Sequence, residues 1–117
     1  MKKVIISMMV VFAFALVAYA AANGPATIDL VKEFNVAAPT KKAVQFPHAV
    51  HQSKLQCVDC HMSDKGGALK NQKTGAAFEP AKLGIKGMKN AAHDDFCWAC
   101  HVEKKVPQGK SCNKCHK

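Results

Sequence analysis

The sequence predicts a small α+β domain with little regular secondary structure: a short N-terminal two-stranded hairpin, a few short helices, and loops wrapped around an interior not made of side chains. Three observations lead there. Behind an apolar start, residues 23–117 hold only 17 Leu, Ile, Val and Phe, or 18%. At high net charge this is too little apolar material for a conventional core. All six cysteines, and three of the six histidines, fall in a C-x-x-C-H pentapeptide that occurs three times. The elements legible between these repeats are short, and the length allows one domain.

The N-terminus sets the compartment. Met1-Lys2-Lys3 is a charged start, Val4 to Val17 is apolar except for Ser7, and Ala18-Tyr19-Ala20 and Ala20-Ala21-Ala22 both fit a small-residue cleavage site. Residues 1–22 therefore read as a cleavable export signal, cut after Ala20 or Ala22, leaving 23–117 as the working domain. The alternative is a retained anchor, since the 19 residues Val4–Ala22 are just long enough to span a bilayer. No cysteine follows the apolar run, so no lipid anchor is indicated at this junction. The expected location is the periplasm, with no stable membrane insertion after cleavage.

Seventeen lysines, no arginine and eight carboxylates give a formal charge of +9. Losing Lys2 and Lys3 with the leader makes it +7. An exported chain with no arginine and no recognition motif is not a nucleic-acid binder.

Along the domain, Thr27–Val31 and Ala43–Phe46 are candidate paired strands, with Pro39-Thr40-Lys41-Lys42 as the turn between them. Pro47–Ser53 suits a short helical turn opened by its proline. Residues 63–90 carry six lysines against Asp64 and Glu79, and their glycines oppose a continuous helix. They are expected to form an extended Lys/Gly-rich loop. Residues 91–104 make the best helix, with Asp94 and Asp95 in its first turn and Lys104 near its end, as the helix dipole favours.

The repeats carry the chemistry. They are Cys57-Val58-Asp59-Cys60-His61, Cys97-Trp98-Ala99-Cys100-His101 and Cys112-Asn113-Lys114-Cys115-His116. C-x-x-C-H is the attachment signature of c-type haem. Two thiols three positions apart can add to the two vinyl groups of one porphyrin, and the histidine that follows can bind the iron from below. Zinc sites and redox disulfides also use C-x-x-C. Neither needs a histidine directly after each pair. With histidine at ~2% of positions, that triple coincidence is about one in 10⁵. Three covalently bound haem c groups follow, and they supply the missing interior: the domain is haem-cored.

Three irons offer six axial positions, and six histidines are present: His61, His101 and His116 in the repeats, and His48, His51 and His93 outside them. Each of the latter lies near a repeat, so all six are candidate iron ligands. Met62 and Met88 are competitors, because Met/His ligation is known chemistry. Met62 directly follows a proximal histidine and cannot reach the far face of the same haem. Met88 suits a gap-filling role. His48 and His51, three apart, share a helical face, and His93 and Cys97, four apart, lie on one side of a helix.

Phe46-Pro47-His48-Ala49-Val50-His51, followed by Cys57–His61, resembles the F-P-H-x-x-H…C-x-x-C-H opening of class III multihaem cytochromes. These are the tetrahaem cytochromes c3 and the smaller trihaem cytochromes c7. His93 before Cys97 is similar to the family's H-x-x-x-C-x-x-C-H arrangement. The resemblance covers most of 27–117. It implies the ligand pairs His48/His61, His51/His101 and His93/His116, on the haems of Cys57/Cys60, Cys97/Cys100 and Cys112/Cys115. One departure stands out: 35 residues separate His61 from Cys97. Tetrahaem relatives carry a further motif in this part of the chain, and here it has no cysteine.

Phe46, Phe96 and Trp98 are natural packing partners for the porphyrins. Irons with two imidazoles have no open position, which points to electron transfer at low potential rather than catalysis. Six propionates and three ferric cores bring the +7 chain to a formal +4 oxidised and +1 reduced. Reduction removes positive charge, so nearby propionates become easier to protonate. Potentials should therefore drift between pH 5 and 9. Lysines at a haem edge would steer redox partners with acidic docking surfaces.

The expected function is a monomeric periplasmic carrier, not an enzyme. It would move electrons between inner-membrane donors and terminal reductases or outer-membrane conduits. The alternative is a small haem reductase of metal ions or oxyanions with one labile axial ligand. A subunit held at the membrane by a retained 1–22 is a third reading.

Overall fold

A computed structural model describes residues 24–117. The expected export signal at 1–22 lies outside the described residues. Ile28–Asp29 (β1) and Gln45–Phe46 (β2) pair antiparallel, Ile28 opposite Phe46 and Asp29 opposite Gln45. The strands are shorter than the spans 27–31 and 43–46, and Asp29 is the reason. Its Oδ1 accepts from the N–H groups of Val31 (3.0 Å) and Lys32 (3.3 Å), capping the helix Leu30–Glu33 (α1). Asn35, at φ 51°, then turns left-handed, and the Val36 N–H reaches back to Val31 O at 2.9 Å. The two strands are thus joined by a helical turn and a series of bends through Pro39–Lys42, in place of a tight hairpin turn.

The helix His48–Gln52 (α2) starts directly after Pro47, which stands in the N-cap position, and ends at Ser53. Cys57–Cys60 (α3) is closed by a reciprocal cap between Gln56 and Asp59, the Gln56 N–H donating to Asp59 Oδ2 at 2.8 Å.

The stretch expected as a loop over 63–90 is built differently. His61–Ser63 (β3), Gly66–Lys70 (β4) and Ala77–Phe78 (β5) form an antiparallel sheet in chain order. Asp64 and Lys65 make a two-residue turn, and a register irregularity between His61 and Ser63 bends the first pair. The second turn rests on Asn71, whose Oδ1 accepts from the N–H groups of Lys73 and Thr74. Gly75, at φ 75°, closes that turn. A single 3₁₀ turn follows at Pro80–Lys82.

The strongest predicted helix is present, with an unexpected winding. Asn90 opens it, its Oδ1 accepting from the His93 N–H at 3.0 Å. Ala92–Cys97 is wound as a π-helix, and Trp98–Glu103 (α4) continues as an α-helix. Four residues therefore no longer make a turn at His93. The last element is Cys112–Cys115 (α5).

Four apolar residues among those described are buried, Phe34, Phe78, Pro80 and Ala92, and all but Pro80 form one cluster. Phe78 sits edge-on to Phe34 (6.5 Å) and face-on to Phe96 (5.2 Å). Leu30, Val36, Leu69 and Ile85 pack around them. This cluster ties α1, the sheet and the π-helix together, and it is as small as the composition implies. It also claims Phe96, which was expected to pack on a porphyrin. Gln72 adds polar cross-links: its N–H donates to Asp95 O and its side chain to Asp59 O, both at 2.8 Å. Lys73 pairs with Asp95 at 2.8 Å. Among the described residues, no helix is long and apolar enough to cross a membrane.

Candidate metal centres

Each repeat places its cysteines at i, i+3 on a helical turn, with both thiols on one face. α3 and α5 each consist of the four residues from one cysteine to the next. In the middle repeat, Cys97 ends the π-turn, and Cys100 and His101 lie in α4. All six thiols are free. Burial pushes the Cys97 thiol up to about 12, and the neighbouring Cys115 and Cys60 add to the rise. Burial also raises Cys60, with Cys100 contributing, and raises Cys100 and Cys115. Thiols of different repeats are thus close enough to oppose one another's ionisation.

The histidines come together in three facing pairs. Ring centres are 6.4 Å apart for His48 and His61, 6.3 Å for His51 and His101, and 6.3 Å for His93 and His116. The planes are crossed in the first and third pairs (80° and 77°) and close to parallel in the second (22°).

Every one of the six rings is held in the same way. Nδ1 lies 2.8 Å from Pro25 O in His48, 3.0 Å from Pro47 O in His51, and 2.8 Å from Gly67 O in His61. It lies 2.7 Å from Met88 O in His93, 2.6 Å from Gly109 O in His101, and 2.7 Å from Lys42 O in His116. A carbonyl oxygen only accepts, so each Nδ1 carries a proton, and in the neutral ring that leaves the lone pair on Nε2. Donation from the far nitrogen is what orients a metal-binding imidazole and raises its basicity. At His93, the Asn90 amide is also 3.2 Å from Nδ1. Since that nitrogen already donates to Met88, the amide's partner is Gly87 O at 2.6 Å.

These contacts also chain the three pairs together. His48 and His51 share α2, and Phe46 lies against both rings, at 6.2 and 4.4 Å. His93 and His101 share one helical run. His116 is tied to Lys42 in the lead-in to β2.

The Class III cytochrome C family matches residues 25–117. The chain belongs to the class III cytochrome c family. Membership carries covalently bound c-type haem and a role in electron transfer. Comparison with curated proteins and with solved structures gives no match.

The residues of this class III cytochrome fit the family's cofactor. Two metal–imidazole bonds of about 2.0 Å, plus about 1.1 Å from each ring nitrogen to its ring centre, put opposed imidazoles about 6.2–6.3 Å apart across one metal. The three pairs measure 6.3–6.4 Å. Among the described residues, no group of three or more His, Cys, Asp or Glu converges as a metal site. A two-imidazole set suits a macrocycle that brings its own equatorial nitrogens.

Sequence reading missed the six carbonyl acceptors, which carry no side-chain signature. Gly109 is the exception, because a Cβ there would lie 2.7 Å from the Cβ of His101. It also missed the contact of Trp98 with His93, whose rings stack at 4.7 Å.

Proposed function

We propose that this class III cytochrome is a trihaem electron carrier of the periplasm, with no catalytic site of its own. Cys57/Cys60, Cys97/Cys100 and Cys112/Cys115 would hold one haem each through thioether bonds. His48/His61, His51/His101 and His93/His116 would be the axial pairs, the assignment implied by the family pattern. Each haem, when bound, supplies a one-electron iron couple. The chain's own contribution is ligand geometry: six imidazoles with their protons committed to carbonyls and their Nε2 atoms free to coordinate.

The observation that carries this reading is the triple recurrence of a facing pair at the spacing two metal bonds require, with Nδ1 donation in all six rings. Full bis-imidazole ligation supports a carrier over a reductase, since no coordination position is left for a substrate. Shared elements between successive pairs support a relay in the order of the repeats. Export is supported by the sequence of residues 1–22 and by the periplasmic habit of the family. Val102 and Val106 are exposed beside the lysine-rich run 104–110 that follows His101. This apolar patch with a basic rim suits transient docking of an acidic redox partner.

The test is the optical spectrum of the matured, reduced protein before and after carbon monoxide, with haem counted per chain and the intact mass measured. Three haems, a mass without residues 1–22 and no change with carbon monoxide are expected. A carbon monoxide-shifted band would overturn full ligation and favour the reductase reading. A mass that includes the leader would favour a membrane-held subunit.

A further inference from the structure

In an α-helix, residues five apart point about 140° away from each other. His93 and Trp98 are five apart, yet their rings are stacked 4.7 Å apart and 12° from parallel. The π-winding of Ala92–Cys97 explains it, because the wider turn brings i and i+5 onto one side of the helix. Trp98 stands inside the second repeat, between Cys97 and Cys100, whereas His93 faces His116 of the third. The indole therefore links the attachment segment of one site to the distal imidazole of the next. A third group joins them: the Lys110 ammonium lies 4.9 Å from the centre of the same indole, two residues before Cys112. Such a contact holds a cation in place at an otherwise mobile side-chain end.

We propose that Trp98 is a positioning residue for His93, and that Lys110 is its charged partner. The Nδ1 bond to Met88 O fixes one edge of the His93 ring. The parallel indole fixes its plane, and so keeps it crossed at 77° to His116. The other five ligands differ in this respect: the aromatic nearest His51 is Phe46, tilted by 38°. Lys110 places a positive charge over this column, which favours the reduced iron at the third site. This inference rests on His93 being an iron ligand.

The experiment compares holoprotein variants by the haem-methyl shifts of the oxidised protein in paramagnetic NMR, which report ligand-plane orientation, and by the three separate midpoint potentials. Trp98→Leu should move the methyl shifts of the Cys112/Cys115 haem alone, and Trp98→Phe, which keeps a flat ring, should restore the native pattern. Lys110→Met should shift the redox equilibrium of that haem about threefold toward the oxidised form, with its methyl pattern retained. Unchanged shifts and potentials in Trp98→Leu, or changes spread evenly over all three haems, would overturn the proposal. Should Trp98→Leu fail to mature, Lys110→Met decides: no haem-specific change in potential overturns it. Carbon monoxide binding to the reduced native protein would instead remove the ligand assignment beneath it. A carbon monoxide-silent native protein with an inert Trp98→Leu would overturn this inference alone.

Discussion

The Gly109 carbonyl accepts from His101 Nδ1 at 2.6 Å, and only a residue without a side chain can stand that close. A Cβ at 109 would meet Cβ of His101 at 2.7 Å and its Cγ and Nδ1 at 2.9 Å. Gly109→Ala must therefore push the loop away and weaken this bond. With His101 as an iron ligand, a less basic imidazole stabilises the ferric state less, so the potential of a haem held by Cys97 and Cys100 should rise by a few tens of millivolts, tenfold being about 59 mV for one electron. Overpacking should also lower stability by about 1–3 kcal/mol. Spectroelectrochemical titration checks the first effect, and three unmoved potentials would contradict it.

The three imidazole pairs are not equivalent. His51 and His101 are 22° apart in plane, whereas the other two pairs are crossed at 80° and 77°. With these residues as ligands, the oxidised protein should give two strongly anisotropic low-spin signals and one rhombic signal in low-temperature electron paramagnetic resonance. Three rhombic signals would contradict the ring orientations.

Phe78 is 4% exposed and touches both Phe34 and Phe96. Phe78→Ala should cost about 3–5 kcal/mol, read by denaturant unfolding of the holoprotein. Its haem spectrum should be unchanged, because this cluster contains none of the six cysteines and six histidines of the proposed sites. A loss below about 1 kcal/mol would mean that this cluster does not hold the domain together.

Asp29 has its carboxyl held below the ordinary 3.8, chiefly by the Gln45 side chain and further by the N–H groups of Lys32 and Val31. A depressed carboxylate contributes stability that is fully present above the unfolded value and lost as pH falls through the folded one. The contribution should therefore persist down to about pH 4 and fade below it. Asp29→Asn should keep the cap and lose that acid dependence, whereas Asp29→Ala should lose the cap at every pH. Stability curves at pH 7 and pH 3 separate the two.

How much was legible depends on how local each feature is. The repeats were, because thioether attachment needs two cysteines and a histidine within five residues. So were the helical turn after Pro47, the helix at 91–104 and, in shorter form than expected, the β1–β2 pairing. The sheet over 61–78 was not: Gly66, Gly67 and Ala68 show no alternation and little strand propensity. Its stability comes from Phe78 packing against Phe34 and Phe96, which are distant in sequence.

The sequence by itself determined which residues are available to the family's cofactor: six cysteines in three repeats and six histidines, in a domain with too few large apolar side chains for a conventional core. The tertiary structure decided how those residues are presented. Which histidine faces which depends on α2 meeting β3 and α4, and on the π-turn at 92–97 meeting the end of α5. The proton on each ring is placed by a backbone carbonyl, a group every residue has, so no residue type announces it. The stack of Trp98 on His93 depends on one wide helical turn, which shifts the facing position from i+4 to i+5 and leaves no mark in the residue pattern.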